Sequence, residues 1–200
     1  MPKNIRSVIP QDIPYLYDIS IKTANYGEDG TSLFNYPISV GQFFSAPFFQ
    51  FEPSLCSIAL DYYDRPSGYI VGTSNTILFN SWLNTKWLPP LQSFYGSAKA
   101  KSEEEQRVIN KILKGKGQGL WEHSGYPAYL RVDLLSSIRK QGIGSSLIEN
   151  HLTKLYEMNI PGVHLRIPSH NENIIGFYEK MGFVLLENTD RGYFMGKKLY

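Results

Sequence analysis

Cysteine is nearly absent. Cys56 is the only thiol in 200 residues, which excludes an internal disulfide and suits a reducing compartment. It lies in the apolar run LCSIAL and reads as a buried strand thiol, not a nucleophile. Long apolar runs are also missing. No stretch approaches the ~18 residues of a membrane span, and the opening MPKNIRSVIP has no h-region of a signal peptide. A cytoplasmic protein, with the nucleus as a second location, is therefore expected, without membrane contact. Charge of one sign is scarce too: 20 basic against 18 acidic residues leave +2, without the basic excess of a nucleic-acid binder. The local cluster Lys111, Lys114 and Lys116 reads as a solvated helix end. Internal repeats and low-complexity tracts are absent.

Aromatics are abundant, with 14 Tyr and 11 Phe, and six of the Phe fall between Phe34 and Phe51. The length fits one domain over 1–200 and is enough to bury a core. Ile5–Val8 reads as a short strand. Pro10, Gln11 and Asp12 then open a helix carrying Ile13, Leu16, Tyr17 and Ile19 on one face. From Ala24 to Pro53 the period fails, leaving a lid, a pocket wall or two short helices. Leu55–Leu60 and Tyr69–Thr73 read as a hairpin around DYYDRPSG. Asn75–Trp87 reads as a helix ended by Pro89 and Pro90. Ser102 and Glu105 form a capping box for a helix over Glu103–Leu113. The loop KGKGQG (Lys114–Gly119) lacks the spacing of a nucleotide P-loop.

The last third is more regular. Tyr129–Leu135 is strand-like. Ile143, Leu147, Ile148, Leu152 and Leu155 share a helical face. Val163–Ile167 is the next strand. Ser169 and Glu172 suggest a second capping box, for a helix stopping at Gly182. Phe183–Leu186 and Tyr193–Leu199 close the chain. Strand, helix, strand, helix, strand, strand implies an α/β sheet with parallel neighbours in its middle.

The turn SSIRKQGIGSSL (Ser136–Leu147) sits between such a strand and such a helix. Unpaired N–H groups at a helix start, with glycines that admit close approach, make an anion site. A dinucleotide fingerprint needs a third glycine where Leu147 stands, so that reading fails. The two glycines alone fit a plain turn as well as an anion cradle.

Arg139-Lys140-Gln141-Gly142-Ile143-Gly144 resembles the Arg/Gln-x-x-Gly-x-Gly/Ala signature of the GNAT N-acetyltransferase superfamily. Asn173-Ile174-Ile175-Gly176-Phe177-Tyr178-Glu179-Lys180-Met181-Gly182-Phe183 resembles that family's following helix, Asn…Phe-Tyr-x-x-x-Gly-Phe. Gly176 departs from the Ala often found there. The run GVHLRIPSHNENIIGFYEKMGF, with FFSAPFFQFEPSL and GYIVGTSNT upstream, is also similar to free-standing microbial relatives of the acetyltransferase-like domain attached to animal O-GlcNAc hydrolases. The resemblance implies an α/β (α+β) GNAT fold: a mixed sheet of about six to seven strands flanked by helices, with splayed central parallel strands.

By the same resemblance the co-substrate is acetyl-CoA, with no metal. Leu134, Leu135 and Ser136 would offer backbone to the pantetheine arm, as in strand addition. Arg139, Lys140, Gln141, Gly142, Ile143, Gly144 and Ser145 would hold the pyrophosphate. Asn173 and Phe177 would line the cofactor. Tyr178 would be the general acid, against a packing role beside Phe177. Asp133, the only carboxylate in its apolar strand, would be the base or amine anchor, against an ion pair with Arg131 on the same face. Glu52, Asp29 and His123 are weaker substitutes, while His164 and Arg166 read as structural. Tyr26, Asp29, Phe51 and Glu52 are the acceptor-side candidates. The expected acceptor is a small-molecule amine such as an amino sugar or polyamine, handled by a monomer or homodimer. A protein lysine acetyltransferase and a non-catalytic binding module are the alternatives.

Overall fold

The computed structural model describes residues 5–115, 125–190 and 192–200. Seven strands form one sheet: β1 (Ile5–Ser7), β2 (Ser57–Leu60), β3 (Pro66–Thr73), β4 (Ala128–Leu134), β5 (Gly162–Ile167), β6 (Val184–Thr189) and β7 (Gly192–Lys198). Their order is β1-β2-β3-β4-β5-β7-β6. Every neighbouring pair is antiparallel except β4 and β5, whose ladder covers only Ala128 with Val163 and Tyr129 with His164. The mixed sheet and its splayed parallel pair are those the resemblance implied.

Alternation along the strands divides the core between two faces. Leu147, Ile148, Leu152 and Leu155 of helix α7 (Ile143–Glu157) and Tyr178 of α8 (Ile175–Lys180) pack with Leu130, Val163 and Leu165 on one face. The other face carries α1 (Ile13–Lys22), α2 (Ile38–Phe44), α3 (Ala46–Phe51), α4 (Thr76–Trp82), α5 (Leu88–Tyr95) and α6 (Glu103–Lys114) over Tyr69, Val71 and Tyr129. The aperiodic aromatic segment thus resolves into two short helices that insert Phe43 and Phe48, both fully buried, into this second layer.

Three local expectations change. The helix from Asn75 does not end at Pro89 and Pro90. It relaxes into a π-helical turn over Leu83–Trp87, and the prolines then occupy the first turn of α5, where no intrahelical N–H is needed. The Ser102 hydroxyl accepts the Glu105 N–H as expected, at 3.1 Å. The buried Glu105 carboxylate, however, accepts N–H groups from Lys101, Asn35 and Tyr36 at 2.6, 3.0 and 2.7 Å. It ties α6 to the chain before α2. The Ser169 capping box does not form. Ser169–Ile174 is a 3-10 turn with a kink at Asn171, and Glu172 instead accepts a hydrogen bond from the Tyr193 hydroxyl at 3.0 Å. Cys56 is fully buried as expected, and burial pushes its thiol up to about 12, but it lies between the 3-10 turn Pro53–Leu55 and β2 and not within a strand. Among the described residues no helix is long and apolar enough to cross a membrane.

Candidate functional site at the strand gap

The site begins with register. Tyr69 of β3 lies opposite Asp133 of β4, and Val71 opposite Arg131. Leu135 donates its N–H to Ser67 O at 2.9 Å. The two-residue alternation of an antiparallel ladder therefore turns the backbone groups of Asp133 and Arg131 toward β3, and those of Val132 and Leu134 toward β5. Pairing with β5 has ended by then, so Val132 and Leu134 present backbone groups to an open gap. Leu134 O already accepts from Arg139 Nε at 2.9 Å, which agrees with this orientation. Of the three residues expected to offer backbone, Leu135 spends its amide inside the sheet and Ser136 opens a 3-10 turn. Val132 was not singled out from sequence, although strand parity with Leu134 is the signal that finds it.

At the end of β4 the chain turns through Lys140 (φ 59°) and Gly142 (φ 80°), both left-handed, into α7. A Cβ built on Gly142 meets nothing within 4 Å. The first intrahelical bond runs from Ser146 N to Gly142 O, so the N–H groups of Ile143, Gly144 and Ser145 point out of the helix end. Empty space in front of free donors at a helix N-terminus fits a phosphate. Lys140 and Gln141 are exposed beside it, and Gln141 Nε2 donates to Ser137 O at 2.9 Å. Arg139 turns the other way. Its guanidinium donates to Glu28 at 2.9 Å and to Gly27 O, holding the turn Asn25–Glu28 against the loop. Tyr26, itself left-handed at φ 54°, sets its ring against His170 in a tilted contact, 4.9 Å between centroids. This turn thus spans the ends of β4 and β5. Asn173 and Phe177 are exposed on the β5 side of the same opening.

Tyr178 and Asp133 approach the gap from opposite faces of the sheet. Tyr178 is buried, edge-on to Phe177 and Phe183 at 5.1 and 5.7 Å. Burial pushes its phenol up, and the Asp133 carboxylate adds to this, so it stays protonated. On the other face, Asp133 accepts from Arg131 Nε at 2.7 Å and Nη2 at 3.2 Å, and from the Tyr69 hydroxyl at 2.5 Å. Burial alone would lower the Arg131 guanidinium, but the carboxylate outweighs it and keeps it charged. Arg131 also lies over the Phe44 ring at 4.5 Å, with Lys111 over the same ring at 4.8 Å. The ion pair with Arg131, weighed from sequence as an alternative for Asp133, is therefore present, with the carboxylate still at the gap.

The remaining acceptor-side candidates lie apart from this cluster. Asp29 accepts the N–H and hydroxyl of Thr31 at 2.8 and 2.6 Å and caps a turn. Phe51 packs on Phe79 and Trp82 at 5.5 and 5.3 Å. Glu52 holds Thr73 and Ser74, both at 2.9 Å. Thr73 pairs with Tyr129, about 13 Å along the strand from Asp133 at ~3.3 Å per residue. His123 and most of KGKGQG lie outside the described residues. His164 is buried, with Nδ1 2.8 Å from Tyr126 O, a structural role. Tyr69, which bonds Asp133, and Phe44, which lies under Arg131, were missed because their positions depend on strand and helix pairing. Among the described residues no His, Cys, Asp or Glu cluster could hold a metal.

A family model described as "Acetyltransferase (GNAT) family" matches residues 33–183. Among solved structures, SsHAT aligns over 98% of each chain at 27% identity and a TM-score of 0.84. A phosphinothricin acetyltransferase of Sinorhizobium meliloti, solved in complex with AcCoA, aligns over 99% of this chain and 89% of its own at 14% identity and a TM-score of 0.60. Naa20 of Chaetomium thermophilum, in complex with a bisubstrate analogue, covers 97% of this chain and 85% of its own at 18% identity and a TM-score of 0.57. At such identities the last two share the fold alone.

Proposed function

This chain belongs to the acetyltransferase (GNAT) family and is an acetyl-CoA-dependent N-acetyltransferase, and from that premise we propose that it acetylates the primary amine of a small molecule, with residues 1–200 acting as one domain. The observation that carries the assignment of the site is the gap between β4 and β5, reached by Tyr178 from one face and Asp133 from the other. The phosphate cradle at Gly142–Ser145 lies at one end of that gap. The N–H groups of Val132 and Leu134 offer strand-like bonds to the pantetheine arm.

Acetyl-CoA supplies an activated thioester. A new N–C bond forms as the C–S bond breaks, the amine loses a proton and the leaving sulfur gains one. An alkyl amine with a pKa near ~10.4 arrives mostly protonated. Asp133 holds that cation at the carboxylate edge left open by Arg131 and Tyr69 and takes one ammonium proton out to solvent, which frees the nitrogen lone pair for attack; the second N–H proton is lost as the N–C bond forms. Tyr178, kept protonated by its burial, gives its proton to the sulfur. Phe44, Arg131 and the Asn25–Glu28 turn wall the acceptor side, and this close wall supports a small amine over an extended peptide.

The test mixes the protein and acetyl-CoA with glucosamine, spermidine, a lysine peptide and a peptide with a free N-terminal alanine, reading thiol release and product mass. Acetylation of a small amine at higher kcat/KM than either peptide is expected. Faster turnover of a peptide overturns the choice of acceptor and leaves the assignment of the gap standing.

A further inference from the structure

Behind Asp133 lies a line of hydroxyls that the reaction above does not use. Tyr69 is completely buried, and its hydroxyl lies 2.9 Å from Ser20 Oγ, which lies 2.8 Å from Ser45 Oγ. Both serines are fully buried. Tyr69 spends its one proton on Asp133, so Ser20 donates to Tyr69 and Ser45 to Ser20. The line ends against backbone carbonyls, with Leu16 O 2.6 Å from Ser20 Oγ and Gly41 O 3.3 Å from Ser45 Oγ. A carbonyl oxygen in the core cannot pass a proton on, so the line is closed at its inner end.

At its outer end the line meets the carboxylate. An ionised carboxylate offers about four lone-pair directions. Oδ2 receives both Tyr69 and Arg131 Nε, and Oδ1 receives Arg131 Nη2. One direction is left, on Oδ1. Burial pushes the Tyr69 phenol up, and the neighbouring carboxylate adds to this, so Tyr69 remains a donor throughout the working pH range. The cross-strand register that sets Tyr69 opposite Asp133 fixes the contact in the sheet itself.

We infer that Tyr69, braced by Ser20, is a positioning residue: it occupies the inner edge of the Asp133 carboxylate so that a single oxygen edge meets the acceptor amine. The hydroxyl line is an anchor and not a proton path, so the amine's proton leaves from the open side of Asp133. This inference rests on the reading of Asp133 as the amine anchor.

The test is a double-mutant cycle on the full chain with Tyr69→Phe, Asp133→Asn and both together, using whichever of the four amines above turns over fastest. Tyr69→Phe should lower kcat/KM for the amine about 10- to 100-fold, the range for losing one hydrogen bond to a charged group. The loss should fall in the amine KM. Acetyl-CoA binding, measured by calorimetry, should change less than about twofold, and Tyr69→Phe should cost nothing more in the Asp133→Asn background. Ser20→Ala, which leaves the tyrosine in place, should give a smaller loss of the same kind and carries the test if Tyr69→Phe does not fold. Losses that multiply independently, or a loss confined to kcat, would overturn the inference, the second because it indicates proton relay. If Asp133→Asn is impaired while Tyr69→Phe equals the wild type, the inference fails alone. If Asp133→Asn is fully active, the reading of Asp133 fails and takes the inference with it.

Discussion

Gly142 carries two separable demands, one of backbone and one of space. At φ 80° a side chain costs roughly 1–2 kcal/mol of left-handed strain, with Asn tolerated better than Ala. The position a Cβ would take is empty to 4 Å, so no packing penalty adds to this in the free protein. Gly142→Ala should therefore lower stability by about 1–2 kcal/mol, a fall in Tm of about 2–8 °C for a chain of this size. Gly142→Asn should recover much of that loss. Acetyl-CoA affinity should behave differently. Either side chain stands in front of the N–H groups of Ile143–Ser145, and losing even one hydrogen bond to a charged phosphate costs about 1.5–3 kcal/mol, or at least tenfold in Kd. Calorimetry with acetyl-CoA beside thermal unfolding separates the two effects. The reasoning is refuted if Asn binds acetyl-CoA like the wild type while Ala does not. Affinity would then follow backbone strain, and the empty space would not be the ligand's.

Tyr178→Phe should lower kcat about 100-fold or more, within the range for a general acid, and leave acetyl-CoA binding unchanged; an unaltered kcat removes its assigned role. Arg139→Ala frees the Asn25–Glu28 turn and the end of β4 together, so it should raise both the acetyl-CoA Kd and the amine KM, and a change in only one would show that the two sides are not joined there. Burial, aided by Lys154, pushes His151 down to about 3 from an ordinary 6.5. The unfolded chain then binds the extra proton, so stability is intact above pH ~6.5 and declines toward pH ~3. Urea unfolding across that window should show a flatter profile for His151→Leu, and identical slopes would contradict the assignment.

What the chain discloses before folding follows the range of the interactions involved. The turn at Gly142 and the strand and helix beside it were legible because their signals are local: two glycines, an apolar strand, and a period of 3.6 from Ile143 to Leu155. The prolines at 89 and 90 misled because a proline both ends one helix and opens the next, and only the π-helical turn before them shows which. Ser169 and Glu172 have the spacing of a capping box, yet Tyr193, arriving from β7, takes the glutamate. The Glu105 carboxylate likewise left its expected local partner for Asn35 and Tyr36. The acceptor side was the least legible part. Its members Tyr69 and Asp133 are 64 residues apart, and their meeting depends on the register of β3 against β4. Phe44 reaches Arg131 only through the packing of α2 on the sheet. Phe51 and Glu52 have the right chemistry in the same aromatic segment, but α3 and its following turn aim them at Phe79 and Thr73.

The central claim is that acetyl-CoA adds itself as a strand in the gap beside β4, with its phosphates at the start of α7. Residue-resolved amide exchange with and without acetyl-CoA tests this most directly. The account predicts new protection at the N–H groups of Val132 and Leu134 and at Ile143–Ser145, with Asp133 and Leu135 unchanged because they already face β3. Protection absent from Val132 and Leu134, in a protein that binds acetyl-CoA, would contradict it.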